Sequence, residues 1–120
     1  PARAGRRGAA RAGRERGVMM PPTPWQWQFP PCRQIIPVSD RARDKQLRKI
    51  LEEAVEARVA YERCAEDGML PYTIELMDVI HACETALREF EPRHLDAAKM
   101  LVIRKNDDRG YYDDGGNHGI

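Results

Sequence analysis

Two acidic pairs stand out in the 120-residue chain: Glu53 with Glu56, and Glu75 with Asp78, each spaced i,i+3. On a helix that spacing puts both carboxylates on one face, with Cβ atoms about 5–6 Å apart. Like charges at that range repel unless a cation sits between them. Two such pairs on consecutive helices make a hard, oxygen-only donor set, which suits Mg2+ and admits Mn2+. A metal held there would offset charge on a bound phosphate and lower the pKa of a water. A single Glu-Glu-x-x-Glu run is common on solvated helix faces; the second, matched pair gives the first its weight. A diiron centre would want Glu-x-x-His twice, and the chain offers only Asp78-x-x-His81. His81 and His94 read as surface or structural histidines, and Cys64 and Cys83 as small core residues.

The elements that must position these groups follow from periodicity. Ser39 is a good N-cap, Asp40 and Asp44 suit the positive end of a helix dipole, and a first helix is expected from Ser39 to about Cys64 or Ala65. Gly68 reads as a stop and Pro71 as the first turn of a second helix running to Phe90. Pro92 opens a third, to about Arg104. On a helical wheel Ile50, Ala54, Tyr61, Leu47, Arg58 and Leu51 lie together on one side of Glu53, and Glu56 on the other. Val79, Phe90, Cys83, Leu76, Leu87 and Ile80 lie on the same side of Glu75, with Asp78 opposite. The offset has the same size and hand in both helices. Antiparallel packing through these stripes would therefore bring both carboxylate pairs to one rim of the seam. Glu52 falls further round, on the surface. Val55 and Val59 make the first helix apolar beyond one stripe. Three helices over some 70 residues are also a thin core. The expected fold is an all-α, compact helical bundle of about three helices per chain, completed by oligomerisation.

Residues 1–19 form an Ala/Gly/Arg head; up to Val18 it carries six arginines and one glutamate. It has no hydrophobic period and reads as disordered or non-native. Residues 20–38 contain six prolines around Trp25-Gln26-Trp27-Gln28-Phe29, an extended arm whose aromatics would cap the core or a subunit seam. Residues 39–112 are the helical domain, and 113–120 a flexible Gly/Asp tail. No apolar run approaches the roughly 18–20 residues of a membrane span. Three cysteines without Cys-x-x-Cys spacing argue against a disulfide framework and for a cytoplasmic setting. Near the end of the third helix, Lys105, Asn106 and Arg109 supply two cations and an amide of the kind that hold a polyphosphate. Lys49, one turn before Glu53, could join them.

At these residues the chain resembles the MazG-like all-α nucleoside triphosphate pyrophosphohydrolases, which are related to the dimeric dUTPases. Their signature is Glu-Glu-x-x-Glu followed, after a gap, by Glu-x-x-Asp. Here Glu52-Glu53-Ala54-Val55-Glu56 and Glu75-Leu76-Met77-Asp78 match it, with eighteen residues between. Lys105-Asn106-x-x-Arg109-Gly110-Tyr111-Tyr112 resembles the family's basic segment. The resemblance implies a Mg2+-dependent hydrolase that cleaves a (d)NTP between the α and β phosphates, giving a nucleoside monophosphate and pyrophosphate, in nucleotide-pool housekeeping. It implies that Glu53, Glu56, Glu75 and Asp78 are the metal ligands and catalytic carboxylates. Lys105, Asn106 and Arg109 would hold the β and γ phosphates, in a homodimer or homotetramer. One departure is plain: the family's helix ahead of Glu-Glu-x-x-Glu is replaced by the Pro/Trp arm, which leaves base recognition open. The competing readings are a non-catalytic helical module that binds a nucleotide or a protein, and a nucleic-acid-binding accessory protein using the Arg-rich head. Nucleic acid is the less expected partner, and a membrane is not expected.

Overall fold

The computed structural model describes residues 23–33 and 38–112; the head, the first residues of the arm and the tail lie outside them. The described residues are all-α, without a strand. They contain four helices: α1 (Asp40–Glu62), α2 (Cys64–Asp67), α3 (Met69–Leu87) and α4 (Pro92–Asp108). Residues 25–98 form one compact unit with α1, α2, α3 and the first turns of α4; the described part of the other unit is 23–24 with 99–112. No described helix is long and apolar enough to cross a membrane.

Local chemistry sets the helix boundaries. The Ser39 hydroxyl accepts from the Ala42 N–H at 3.1 Å, capping α1 where Asp40 opens its first turn. The i,i+4 pairs Asp44–Arg48, Lys49–Glu53 and Arg58–Glu62 line the helix; the first and last, at exposed sites, each add roughly a few tenths of a kcal/mol. The first helix pauses at Arg63, then makes the single turn α2. At Gly68, φ is 85° and ψ 177°, a conformation essentially reserved for glycine. Open space surrounds the position where a Cβ would stand, so Gly68→Ala should cost only the backbone's own strain, about 1–3 kcal/mol, read as a lowered midpoint in urea. α3 begins at Met69, two residues before Pro71; the proline still sits in the first turn, where its missing N–H is not needed. α4 runs four residues past Arg104 and ends at Gly110, whose φ of 78° lets the Tyr111 N–H reach the Asn106 carbonyl at 2.9 Å.

α1 and α3 form an antiparallel hairpin. Its register is fixed by Arg43 on Glu89, the Gln46 amide on the Ala82 carbonyl, and Tyr61 beside Tyr72. The inward positions of α1 are Gln46, Ile50, Glu53, Ala57 and Ala60; those of α3 are Tyr72, Glu75, Val79, Ala82 and Ala86. They alternate in steps of three and four, the spacing of a coiled-coil seam. This corrects the expected phase. Only Ile50 of the six α1 stripe residues faces the seam, whereas Leu47, Leu51, Ala54, Arg58 and Tyr61 are exposed. On α3, Leu76, Ile80 and Phe90 are exposed, while Val79, Cys83 and Leu87 are half-buried. Small alanines let the two backbones approach, and the larger side chains turn aside. Their rotation from the seam has the same sense in both helices. In an antiparallel pair, that places both apolar stripes on one side of the hairpin and the acidic rim on the other.

Candidate metal centre

The carboxylates are set by the seam itself. Glu53 occupies an inward position midway along α1 and is 7% exposed. Glu75 is the inward residue facing it from α3, half-buried, with Asp78 one turn on and exposed at the rim. One carboxylate oxygen from each of Glu53, Glu75 and Asp78 lies within 4.8 Å of the others. Three of the four expected carboxylates therefore converge, and deeper than expected: Glu53 and Glu75 interrupt the seam rather than border it. Glu56 is exposed and stands outside this closest group, yet near enough to act on Glu75. Glu52 is exposed.

The electrostatics are those of a site short of positive charge. Burial pushes the Glu75 carboxyl above its ordinary range, and the charges of Asp78, Glu56 and Glu53 push it further. Glu75 Oε1 is buried and has no hydrogen-bond partner among the described residues. An orphaned carboxylate oxygen in a helix seam is costly, and it faces two other carboxylates that cannot donate to it while ionised. The nearest cation is Lys49, whose Nζ lies 2.7 Å from Glu53 Oε2, with more than half of its side chain exposed. That contact raises the Lys49 ammonium above its ordinary value, chiefly through the hydrogen bond to Glu53. Lys49 thus answers one oxygen of Glu53 and leaves Glu75 unanswered. Three convergent carboxylates, one with a buried, unpaired oxygen, fit a small divalent cation such as Mg2+, which takes oxygen ligands and keeps part of its water shell.

The remaining expected site residues are on α4. Lys105 and Asn106 lie in its last turn and Arg109 just beyond it. No ion pair among the described residues engages Lys105 or Arg109. The arm proves more informative than its sequence. Trp25, Trp27 and Phe29 are half-buried, while Gln26 and Gln28 are exposed. His81, away from the seam as expected, stacks on Phe29 with centroids 5.0 Å apart. The residues that seat this arm, Glu84 and Arg88, look in sequence like ordinary helix-surface charges. Their burial depends on a segment more than fifty residues away. Comparison with family models, with curated protein sequences and with solved structures finds no match to the chain.

Proposed function

We propose that the chain is a Mg2+-dependent nucleoside triphosphate pyrophosphohydrolase of the MazG-like kind, hydrolysing a (d)NTP between its α and β phosphates. The observation that carries the reading is the convergence of Glu53, Glu75 and Asp78 around an unpaired, buried Glu75 oxygen. The paired Glu-Glu-x-x-Glu and Glu-x-x-Asp spacing adds to it. In this reading Glu53, Glu75 and Asp78 bind the ion, and Glu56, exposed beside them, completes the set. The ion, Mg2+ or in its place Mn2+, supplies charge neutralisation at the phosphates and a lowered pKa for a bound water.

The chain's own groups do the rest. A carboxylate of the set orients the attacking water and takes its proton. The bond between the α phosphorus and its bridging oxygen breaks, and pyrophosphate leaves. Lys105, Asn106 and Arg109 are the groups of the chain chemically suited to the β and γ phosphates. Lys49, already within reach of Glu53, would be free to turn to the phosphates when an ion held that oxygen.

The functional unit in this reading is a homodimer, or a homotetramer built from it. Support comes from the side of the hairpin opposite the acidic rim. Leu47, Leu51, Val55, Met69, Leu76 and Ile80 are each at least 40% exposed there. Large apolar side chains left exposed in this way suit a partner surface, and a second copy of the same hairpin presents a matching one.

Incubation with each common and modified (d)NTP and Mg2+, followed by product separation, tests the activity. Nucleoside monophosphate and pyrophosphate are the expected products. Orthophosphate with a nucleoside diphosphate would overturn the assigned bond, and no turnover of any substrate would leave the binding module as the better account.

A further inference from the structure

The arm is the one well-built feature that the proposed chemistry does not use. Its half-buried residues alternate, Trp25, Trp27 and Phe29 inward and Gln26 and Gln28 outward, as in an extended strand laid on a surface. Charged side chains hold its main chain. Glu84, 4% exposed, accepts from the Gln28 N–H at 2.9 Å and the Phe29 N–H at 3.0 Å, one on each oxygen. Arg88 donates to the Phe29 carbonyl at 2.7 Å, and its guanidinium lies 3.7 Å from the Trp27 ring centroid. Next along, the Trp25 N–H donates to Asp96 Oδ1 at 2.6 Å. A carboxylate as buried as that of Glu84 is tolerated because both of its oxygens are answered, and the arm is what answers them.

The position of these bonds matters for α4. Leu95, in the first turns of α4, is only 3% exposed. A helix of this length standing alone is marginal in water and depends on tertiary contacts. Glu84 and Arg88 are on α3 and Asp96 is on α4, so residues 25–29 bridge the two.

We propose that residues 25–29 are a strap that fixes the first turns of α4 to the C-terminal half of α3, with Glu84 and Arg88 as its positioning residues.

Both tryptophans of the chain lie in the strap, so intrinsic fluorescence of the full-length protein reports its docking directly. In Glu84→Ala the emission should shift to the red and iodide quenching should rise. Amide exchange across 92–98 should accelerate at least about tenfold, while amides of the α1–α3 seam keep their protection, since local opening follows local contacts. Glu84→Gln, which keeps one acceptor, should fall between. Wild-type fluorescence in Glu84→Ala, or undiminished protection of 92–98, would overturn the strap. Should Glu84→Ala fail to fold, Arg88→Lys is read in the same way, because it keeps the charge and loses the guanidinium fork.

Discussion

Glu75→Gln is expected to lower Mg2+-dependent turnover at least about a hundredfold, and to raise the melting temperature of the metal-free protein at neutral pH. The first effect follows from the loss of a metal ligand: changes to groups that only support such ligands already cost about 10–100-fold. The second follows from the seam. Burial and three neighbouring carboxylates raise the Glu75 carboxyl above its ordinary value of 4.5. The native state therefore binds this proton more tightly than the unfolded state, and ionising Glu75 costs stability. The penalty is absent below the ordinary value, grows as pH rises toward the raised one, and is fully present above it. A neutral amide removes it. Thermal melts of the metal-free wild type should accordingly show a loss of stability as pH rises from below 4.5, and the variant should lack that component. Glu53→Gln should also abolish turnover, but without the gain in stability, because Glu53 is answered by Lys49. A common loss of activity with a stability gain in only one variant separates a ligand set from a general weakening of the fold. Full activity in either variant would remove that residue from the site.

The second large effect is expected on the opposite side of the hairpin. Leu51 and Val55 are 66% and 61% exposed and lie one turn apart on α1. Leu51→Asp combined with Val55→Asp should convert the assembly to a species of 13.7 kDa, measured by sedimentation. Turnover should fall with assembly, since the phosphate-binding residues are read as acting in an oligomer. The double variant adds charge where a single hairpin has none to bury, so a monomer loses little by it. A dimer desolvates four added carboxylates, at several kcal/mol per ion. If the wild type already sediments at the single-chain mass, the apolar face has another occupant.

What could be read from the sequence, and what could not, divides along physical lines. The carboxylate pairs and their common rotational offset were legible because i,i+3 spacing and helix hand are properties of the chain alone. Their convergence followed from an antiparallel hairpin, which Gly68 and Pro71 announce. The phase of the seam was not legible. Large apolar residues dominate any reading of periodicity, whereas the inward positions are Ala57, Ala60, Ala82 and Ala86 together with the carboxylates themselves. Leu47, Leu51 and Val55 signalled a buried face, yet within one chain they are exposed. The docking of the arm was invisible for a different reason. Its anchors on the arm side are main-chain groups, which carry no sequence signal, and on the helix side Glu84 and Arg88 resemble solvated charges. Helix ends moved by a few residues: α3 starts at Met69, and α4 takes in Lys105 and Asn106.

The proposed function requires the α1–α3 seam to bind a divalent cation. Calorimetric titration of Mn2+ and then Mg2+ into the metal-free full-length chain, with Glu75→Gln alongside, tests it most directly. The account predicts saturable binding of both ions to the wild type, one site per set of Glu53, Glu75 and Asp78, and loss of that binding in Glu75→Gln. Binding of equal strength in the variant, or no binding of either ion to the wild type, would contradict it.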